Sequence, residues 1–226
     1  MPIALTDPNV DVNDTTDTTT YTSATWTPPA NALLCLFICS HTNLDEPSSV
    51  TGHGVTYSKK TSQAISTNSR IGLWVADSGG SPTSVGDSAT WGTNRTGCQM
   101  IPFALTGVDL SGGALAAVVQ APVNSGTGNT ATVTLAGAGA AGNRPIMGIG
   151  TQLGEAITPR TNWAEIGDGS IATPARRLEA QWRSDTFETT ASGTWTTATF
   201  DWGAIAAEIK EAAGGAVLTW EMGWVA

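Results

Sequence analysis

The chain has 226 residues and a net charge of −9, with 19 acidic and 10 basic residues. The few basic residues are scattered, which argues against a protein that follows a nucleic-acid backbone. The longest apolar run, residues 32–39, is too short to cross a membrane as a helix. The N-terminus lacks the basic start and apolar stretch of a secretory signal, so we expect synthesis in the cytoplasm without a cleaved leader.

The first segments in chain order predict a polar arm followed by strands. Residues 1–19 are polar and rich in Asp and Thr, which is typical of an arm outside the core. A first strand is expected over residues 20–27, before Pro28 and Pro29. The next, residues 33–39, is apolar on both faces and should lie centrally, covered on each side.

Alternating strands continue the pattern through the first half of the chain. Strands are predicted over residues 52–59, 70–77, 88–92 and 98–107, with a Gly/Ser/Pro loop at 79–87. In the second of these, Trp74 should face the opposite side from Leu73 and its apolar neighbours.

The second half begins with a predicted strand over residues 115–121 and a Thr/Val alternation over 129–135. A loop of small residues follows at 136–142. Residues 203–213 are ambiguous, because their Ala, Glu and Lys content favours a helix. The alternation of Ile205, Ala207 and Ile209 favours a strand, which we predict.

The two halves of the chain share one pattern of segments. Tyr57 matches Trp163 at an offset of 106 residues, Trp74 matches Trp182 at 108, and Leu105 matches Ile209 at 104. A period of about a hundred residues is too long for a solenoid. It favours two half-sandwiches that bury their apolar faces against each other.

This pattern divides the chain into three parts. We expect an N-terminal arm at 1–19, a sandwich at 20–213 and an apolar C-terminal tail at 214–226. The two pseudo-repeats cover about 20–109 and 129–211.

The C-terminal tail needs a surface that buries its apolar side chains. Period-two alternation puts Leu218, Trp220, Met222 and Trp224 on one face. In one interpretation the tail is an edge strand of its own sandwich. In the other it anchors on a neighbouring subunit, because buried tryptophans dominate protein interfaces.

The nine tryptophans raise the alternatives of a glycan-stacking surface and core packing. Trp74, Trp163, Trp182 and Trp202 are expected to fill the core or cap its ends. Trp91 and Trp195 lie in Thr-rich segments and are the candidates for an exposed aromatic platform.

Catalytic and metal-binding signals are weak, and we expect no cofactor, no metal and no enzymatic activity. His41 and His53 lie near predicted turns without a metal-ligand spacing, which favours surface turn residues. None of the recognised catalytic motifs is present.

The acidic residues leave one catalytic alternative to weigh. Asp77 and Asp185 end matched strands and are expected to form turns. Glu179 and Glu208 project from strands, and a glycosidase would need two such carboxylates at a defined separation.

The three cysteines are predicted to lie in strands. Cys35 and Cys39 point to one face about 13 Å apart, which is too far for a disulfide. A bond from either to Cys98 is geometrically open. Buried free thiols are the favoured interpretation, in agreement with a reducing cytoplasm.

Several segments together resemble a family of structural proteins from tailed phages and prophages that have a jelly-roll sandwich. They are DTTTYTSATWTPPANALLCLFI, SVTGHGVTY, the GVD turn at 107–109, LEAQWRSD and AIAAEIK. The resemblance covers about residues 15–211. It implies an all-β jelly-roll sandwich of two antiparallel sheets and association with a virion.

The function expected from this resemblance is structural. The protein would be a capsid decoration (cement) protein on the virion surface, made in the host bacterial cytoplasm, that stabilises the head lattice. Its partners would be the major capsid protein or other virion subunits, and it would form a homo-oligomer such as a trimer. The alternative is a tail-fibre or tail-tip module that binds host-surface carbohydrate. Neither nucleic acid nor membrane is an expected partner.

Overall fold

The computed structural model describes residues 1–41, 44–196 and 200–213. These residues are all-β, with 58% strand and 2% helix, as the Thr-rich and Val-rich alternation predicts. The first half contains β1 (Ala4–Thr6), β2 (Val12–Asp14), β3 (Thr18–Thr22), β4 (Leu33–His41), β5 (Ser49–Gly52), β6 (Val55–Thr56), β7 (Ser58–Ser66), β8 (Ser69–Asp77), β9 (Ser88–Arg95) and β10 (Cys98–Thr106). The second half contains α1 (Ala114–Ala117), β11 (Val118–Gln120), β12 (Val123–Gly128), β13 (Thr130–Thr134), β14 (Arg144–Thr151), β15 (Thr158–Pro159), β16 (Ala164–Ala172), β17 (Ala175–Trp182), β18 (Thr190–Thr194) and β19 (Phe200–Ile209).

The described strands form four antiparallel sheets, so the expected number of two is wrong. The first large sheet has the order β1-β10-β4-β8-β7, and β2 also pairs with β10. The second large sheet has the order β11-β19-β14-β17-β16, and β12 also pairs with β19. The first small sheet is β3-β9-β5-β6 and the second small sheet is β13-β18-β15.

Three apolar clusters hold these sheets in a stack. The central cluster joins the two large sheets through residues such as Phe37 of β4 and Ile205 of β19. A second cluster joins the outer face of β4, including Leu36, to Trp91 of the first small sheet. The third joins Met147 of β14 to the second small sheet. Each large sheet is therefore covered on both faces, which explains why β4 is apolar on both sides.

The backbone of β14 lies in close contact with side chains of the first large sheet. A Cβ atom added at Gly148 would lie 2.4 Å from Cδ1 of Phe37, and one at Gly150 would lie 2.5 Å from Cδ1 of Ile65. A side chain at either position would collide with its neighbour. Glycine weakens an isolated strand, but here it lets apolar side chains of the opposite sheet reach the backbone.

The two large sheets have corresponding strand orders. Their central strands are β4 and β14, each lying between partners that come later in its own half of the chain. The sheets also pack reciprocally, because β7 lies against β19 while β16 lies against β10. One predicted correspondence is wrong: Trp74 faces the first small sheet, whereas Trp182 packs against the central cluster.

The N-terminal segment does not form the expected separate arm. β1 and β2 pair with opposite ends of β10, and Ile3 is buried in the central cluster. The alternating apolar residues at positions 3, 5, 10 and 12 are the signal that the polar composition concealed.

Two other segment predictions have mixed outcomes. The predicted strand at 115–121 begins instead as the short helix α1 and becomes extended only in β11. The strand predicted at 203–213 is confirmed by β19, which extends to Ile209. Pairing with β14 and β12 on both sides outweighs its local helix propensity.

The structure agrees with the favoured interpretation that the three cysteines are buried free thiols. Cys35, Cys39 and Cys98 are free and buried. Burial raises the pKa of all three thiols, so they pack as neutral apolar groups.

The contact between Gly148 and Phe37 yields a stability prediction. Gly148→Ala should lower the free energy of unfolding by about 1–3 kcal/mol, because the new methyl group overpacks the central cluster. Gly92→Ala is the matched control, since a Cβ atom at this strand glycine meets nothing within 4 Å. Urea unfolding checks both variants, and equal effects would contradict the close packing.

Candidate functional site

The predicted aromatic platform is wrong, because both tryptophans are buried. Trp91 is 2% exposed and Trp195 is 4% exposed. Trp91 packs edge-on against Tyr21 at 5.8 Å between ring centres, and Trp195 lies in the cluster beneath the second small sheet. Each small sheet covers a large one, so its bulky residues turn inward and its threonines remain outside.

The predicted tail anchor lies outside the described residues. Leu218, Trp220, Met222 and Trp224 belong to 214–226, which follow the last described position. Both interpretations of the tail therefore stay open.

Both histidines are buried, which contradicts the expectation of surface turn residues. His41 is 0% exposed and His53 is 1% exposed. His53 and Gly54 have φ values of 55° and 85° and form the two-residue turn between β5 and β6, as in a type I′ hairpin. The sequence predicted a turn near His53, but it did not show that the loop at 79–87 covers this turn.

The carboxylate of Asp87 lies at the centre of the polar network under this hairpin. The side chain is fully buried. Its Oδ1 accepts a hydrogen bond from the Tyr57 hydroxyl at 2.6 Å, and its Oδ2 accepts one from Trp26 Nε1 at 2.8 Å. The Asp87 amide donates to Ser23 Oγ at 2.9 Å. Two segments that are distant in sequence, one with Ser23 and Trp26 and one with Tyr57, are therefore fastened to this one residue.

His53 completes the network beside the Asp87 carboxylate. Its Nε2 lies 3.2 Å from Asp87 Oδ1, an ion-pair distance, and its Nδ1 lies 3.0 Å from the Thr83 carbonyl oxygen. Burial lowers the pKa of His53, but the hydrogen bond and negative charge of Asp87 and the Thr83 carbonyl outweigh burial and raise it overall. Because its oxygens are buried and already paired, Asp87 is suited to fastening the fold rather than to proton transfer.

The raised pKa of His53 yields a pH prediction. Its stabilising ion pair is fully present below the unfolded pKa of about 6.5 and is lost as pH rises through the higher folded pKa. Between about pH 6 and about pH 9, wild-type stability should fall by roughly 1–2 kcal/mol, and His53→Gln should flatten that slope.

The control for this prediction is the other histidine. Burial and the charge of Arg176 lower the pKa of His41 to about 3, so His41→Gln should leave the alkaline slope unchanged. Urea midpoints across the pH range measure both variants. A slope in His53→Gln equal to that of the wild type would contradict the assignment.

Glu179 and Glu208 are attached at backbone positions that are farther apart than the carboxyl groups of a glycosidase pair. Both face the outer side of the second large sheet, opposite Ile149 and Pro145 of β14. Four residues along β14 and two strand spacings across it separate their Cα atoms by about 16 Å, whereas a glycosidase needs about 5–9.5 Å between carboxyl groups.

Three of the four acidic residues considered as catalytic candidates make local structural contacts. Glu208 accepts hydrogen bonds from Gln120, Gly139 and Asn143. Asp77 accepts the Gly79 amide at 2.9 Å in a turn, as predicted, and Asp185 pairs with Arg183 at 2.9 Å.

Acidic groups gather where the N-terminal segment crosses β16. Asp11 Oδ1 is buried without a hydrogen-bond partner. Burial, followed by the negative charges of Asp7, Asp168 and Glu165, raises the pKa of Asp11 to about 7. The charged form therefore destabilises the native state, and this part of the stability is lost as pH rises from about 4 to about 7.

Removing the charge of Asp11 should reverse that loss. We expect Asp11→Asn to raise the free energy of unfolding by about 1–2 kcal/mol at about pH 8 and to have little effect at about pH 4. The exposed Asp77→Asn is the control, because asparagine retains its turn hydrogen bond. Urea unfolding at the two pH values decides, and a stability gain of the same size at both would contradict the burial of this charge.

An open cavity lies at the seam between the two halves of the chain. It has a volume of about 490 Å³ and is lined by polar residues from separate turns, namely Thr15, Asp17, Asn68, Thr96, Thr173 and Arg176, together with Pro174. The two halves contribute to its walls through the N-terminal segment, the β7–β8 and β9–β10 turns, and the β16–β17 turn.

Arg176 is the cation of this seam cavity and is 9% exposed. Its Nη1 donates to the Ala175 carbonyl at 2.7 Å, and its Nη2 has a long contact of 3.4 Å with Asn68 Oδ1. Its Nε is buried without a partner. The sequence shows Arg176 only as a neighbour of Arg177, because no local motif shows what surrounds it.

Other types of site find no support among the parts of the chain that the structure describes. No group of three or more His, Cys, Asp or Glu side chains there is arranged to hold a metal ion. No helix in those ranges is long and apolar enough to span a bilayer. Comparisons with protein-family models, curated proteins and solved structures find no match to this chain.

Proposed function

We propose that the protein is a non-enzymatic structural protein of a tailed-phage virion, most specifically a capsid decoration protein. The observation that supports this role is the stack of four sheets, in which the two large sheets share one apolar cluster. Buried carboxylates such as Asp87 fasten loops to the stack. A body built in this way resists deformation, which is what a protein that reinforces a pressurised shell requires.

We also infer that the halves at about 20–109 and 129–211 are structural repeats within one jelly-roll-like sandwich. The corresponding strand orders and the reciprocal packing of β7 and β16 support this inference. Neither half would be stable alone, because each large sheet needs the other to bury its inner face.

The mechanism would be mechanical. The rigid stack would lie where capsid subunits meet, and its contacts would add buried area that opposes internal pressure. Since β1 and β2 are part of the first large sheet, the apolar residues Leu218, Trp220, Met222 and Trp224 would supply the anchor. The net charge of −9 would keep decorated particles from associating.

The alternative is a tail-fibre or tail-tip module that recognises carbohydrate. The burial of Trp91 and Trp195 removes the surface first suggested for stacking on sugars. This alternative therefore rests on the seam cavity, whose polar walls suit hydroxylated ligands.

The copy number in purified particles tests the proposal. The full chain and a chain truncated after Ala213 would be produced in cells that assemble the phage, and both would be counted by quantitative mass spectrometry. We expect the full chain in numbers comparable to the capsid subunits, and the truncated chain to be folded but absent from heads, because its anchor is missing.

Two controls make this experiment decisive. Far-UV circular dichroism and thermal unfolding of the truncated chain show whether the stack persists without residues 214–226. The substitution Leu115→Ser, at an exposed position in α1, should leave incorporation unchanged. A handful of copies per particle would favour the fibre alternative, and absence from all particles would contradict a virion role.

A further inference from the structure

We propose that the seam cavity binds a carboxylated sugar, with Arg176 holding the carboxylate and Asp17 and Asn68 receiving the sugar hydroxyls. The inference concerns binding by the isolated protein and does not depend on the virion role.

The first argument is that Arg176 carries a buried charge that the fold leaves uncompensated. No acidic side chain in the described ranges lies within the 4.0 Å ion-pair distance of its guanidinium. A buried charge is normally paired. By contrast, Arg177 on the same strand forms a two-point pair with Asp168.

The second argument is that the cavity wall contains a buried polar atom without a hydrogen-bond partner. Arg176 lines the cavity, and its Nε is buried without a partner. Buried polar atoms without partners are rare in native proteins, so this atom indicates a missing polar occupant.

The chemistry of the walls defines the class of ligand. The planar fork of an arginine side chain matches a carboxylate. Asp17 and Asn68 can accept hydrogen bonds from hydroxyl groups, and Thr15 and Thr173 can both donate and accept them. Because Asp17 repels a multiply charged anion, a single carboxylate with neighbouring hydroxyls fits better than inorganic phosphate. The volume of about 490 Å³ is in the range of small-ligand sites.

The test is titration of the full-length protein with glucuronate and N-acetylneuraminate, measured by saturation-transfer NMR and calorimetry. Glucose and acetate are the comparison ligands, since each carries only half of the proposed recognition chemistry. We expect a measurable dissociation constant for at least one acidic sugar at concentrations up to about 10 mM. Glucose and acetate should bind at least about tenfold more weakly, because each leaves polar groups of the cavity unpaired.

Variants of the cavity identify the residues. Arg176→Gln should weaken binding about tenfold or more by removing a charge-assisted contact. It should not lower the melting temperature, because it removes an unpaired buried charge. Arg144→Gln is the matched control, since Arg144 bonds only to backbone carbonyls, forms no ion pair in the described ranges and lies outside the cavity. If Arg176→Gln fails to fold, Asp17→Asn keeps the arginine and tests the hydroxyl contacts.

The binding results distinguish a carboxylated-sugar site from the alternatives. The proposal is overturned if neither acidic sugar binds, if acetate or glucose binds equally well, or if Arg176→Gln and Asp17→Asn both bind like the wild type. Selective binding that Arg176→Gln abolishes and Arg144→Gln preserves supports the proposal. Either result leaves the particle copy number, and hence the proposed virion role, to be decided separately.

Discussion

The structure depends on the contact between the inner faces of the two large sheets. The central cluster draws side chains from β4, β8 and β10 on one side and from β14, β17 and β19 on the other. Phe37 reaches the backbone at Gly148 because no side chain stands between them. Burial of apolar surface at about 25 cal/mol per Å² makes this interface the main reason for the two halves to stay together. The small sheets then cover the outer faces, and the seam cavity forms where the turns of the two halves meet.

Polar groups in this fold divide into those that fasten the stack and those that remain unsatisfied. Asp87 and Glu208 each gather donors from distant segments. Asp11 and Arg176 instead have buried atoms without partners. Buried polar groups cost free energy unless they are paired, so the first set specifies the fold and the second set marks places where protonation or a ligand changes its stability. The candidate ligand-binding residues therefore lie at the seam cavity and not on an aromatic surface.

Much of the fold could be predicted from hydrophobic alternation, and the failures have physical causes. The central position of β4, the strand character of β19 and the free cysteines are all confirmed, because burial on both faces leaves a clear apolar pattern. The predicted number of sheets was wrong, since Trp91 lies in a Thr-rich strand and Trp195 directly follows one, and the sequence does not reveal which face of these strands is covered. The networks around Asp87 and Arg176 depend on turns that are far apart in the chain, so no local pattern could have shown them.

Native-state hydrogen exchange measured by mass spectrometry over a range of urea concentrations tests the shared core most directly. If the two large sheets depend on one interface, amides of β4 and β14 should exchange with the same free energy of opening and the same urea dependence, as parts of one cooperative unit. Exchange of one of these strands at a clearly lower free energy, while the other stays protected, would contradict the account.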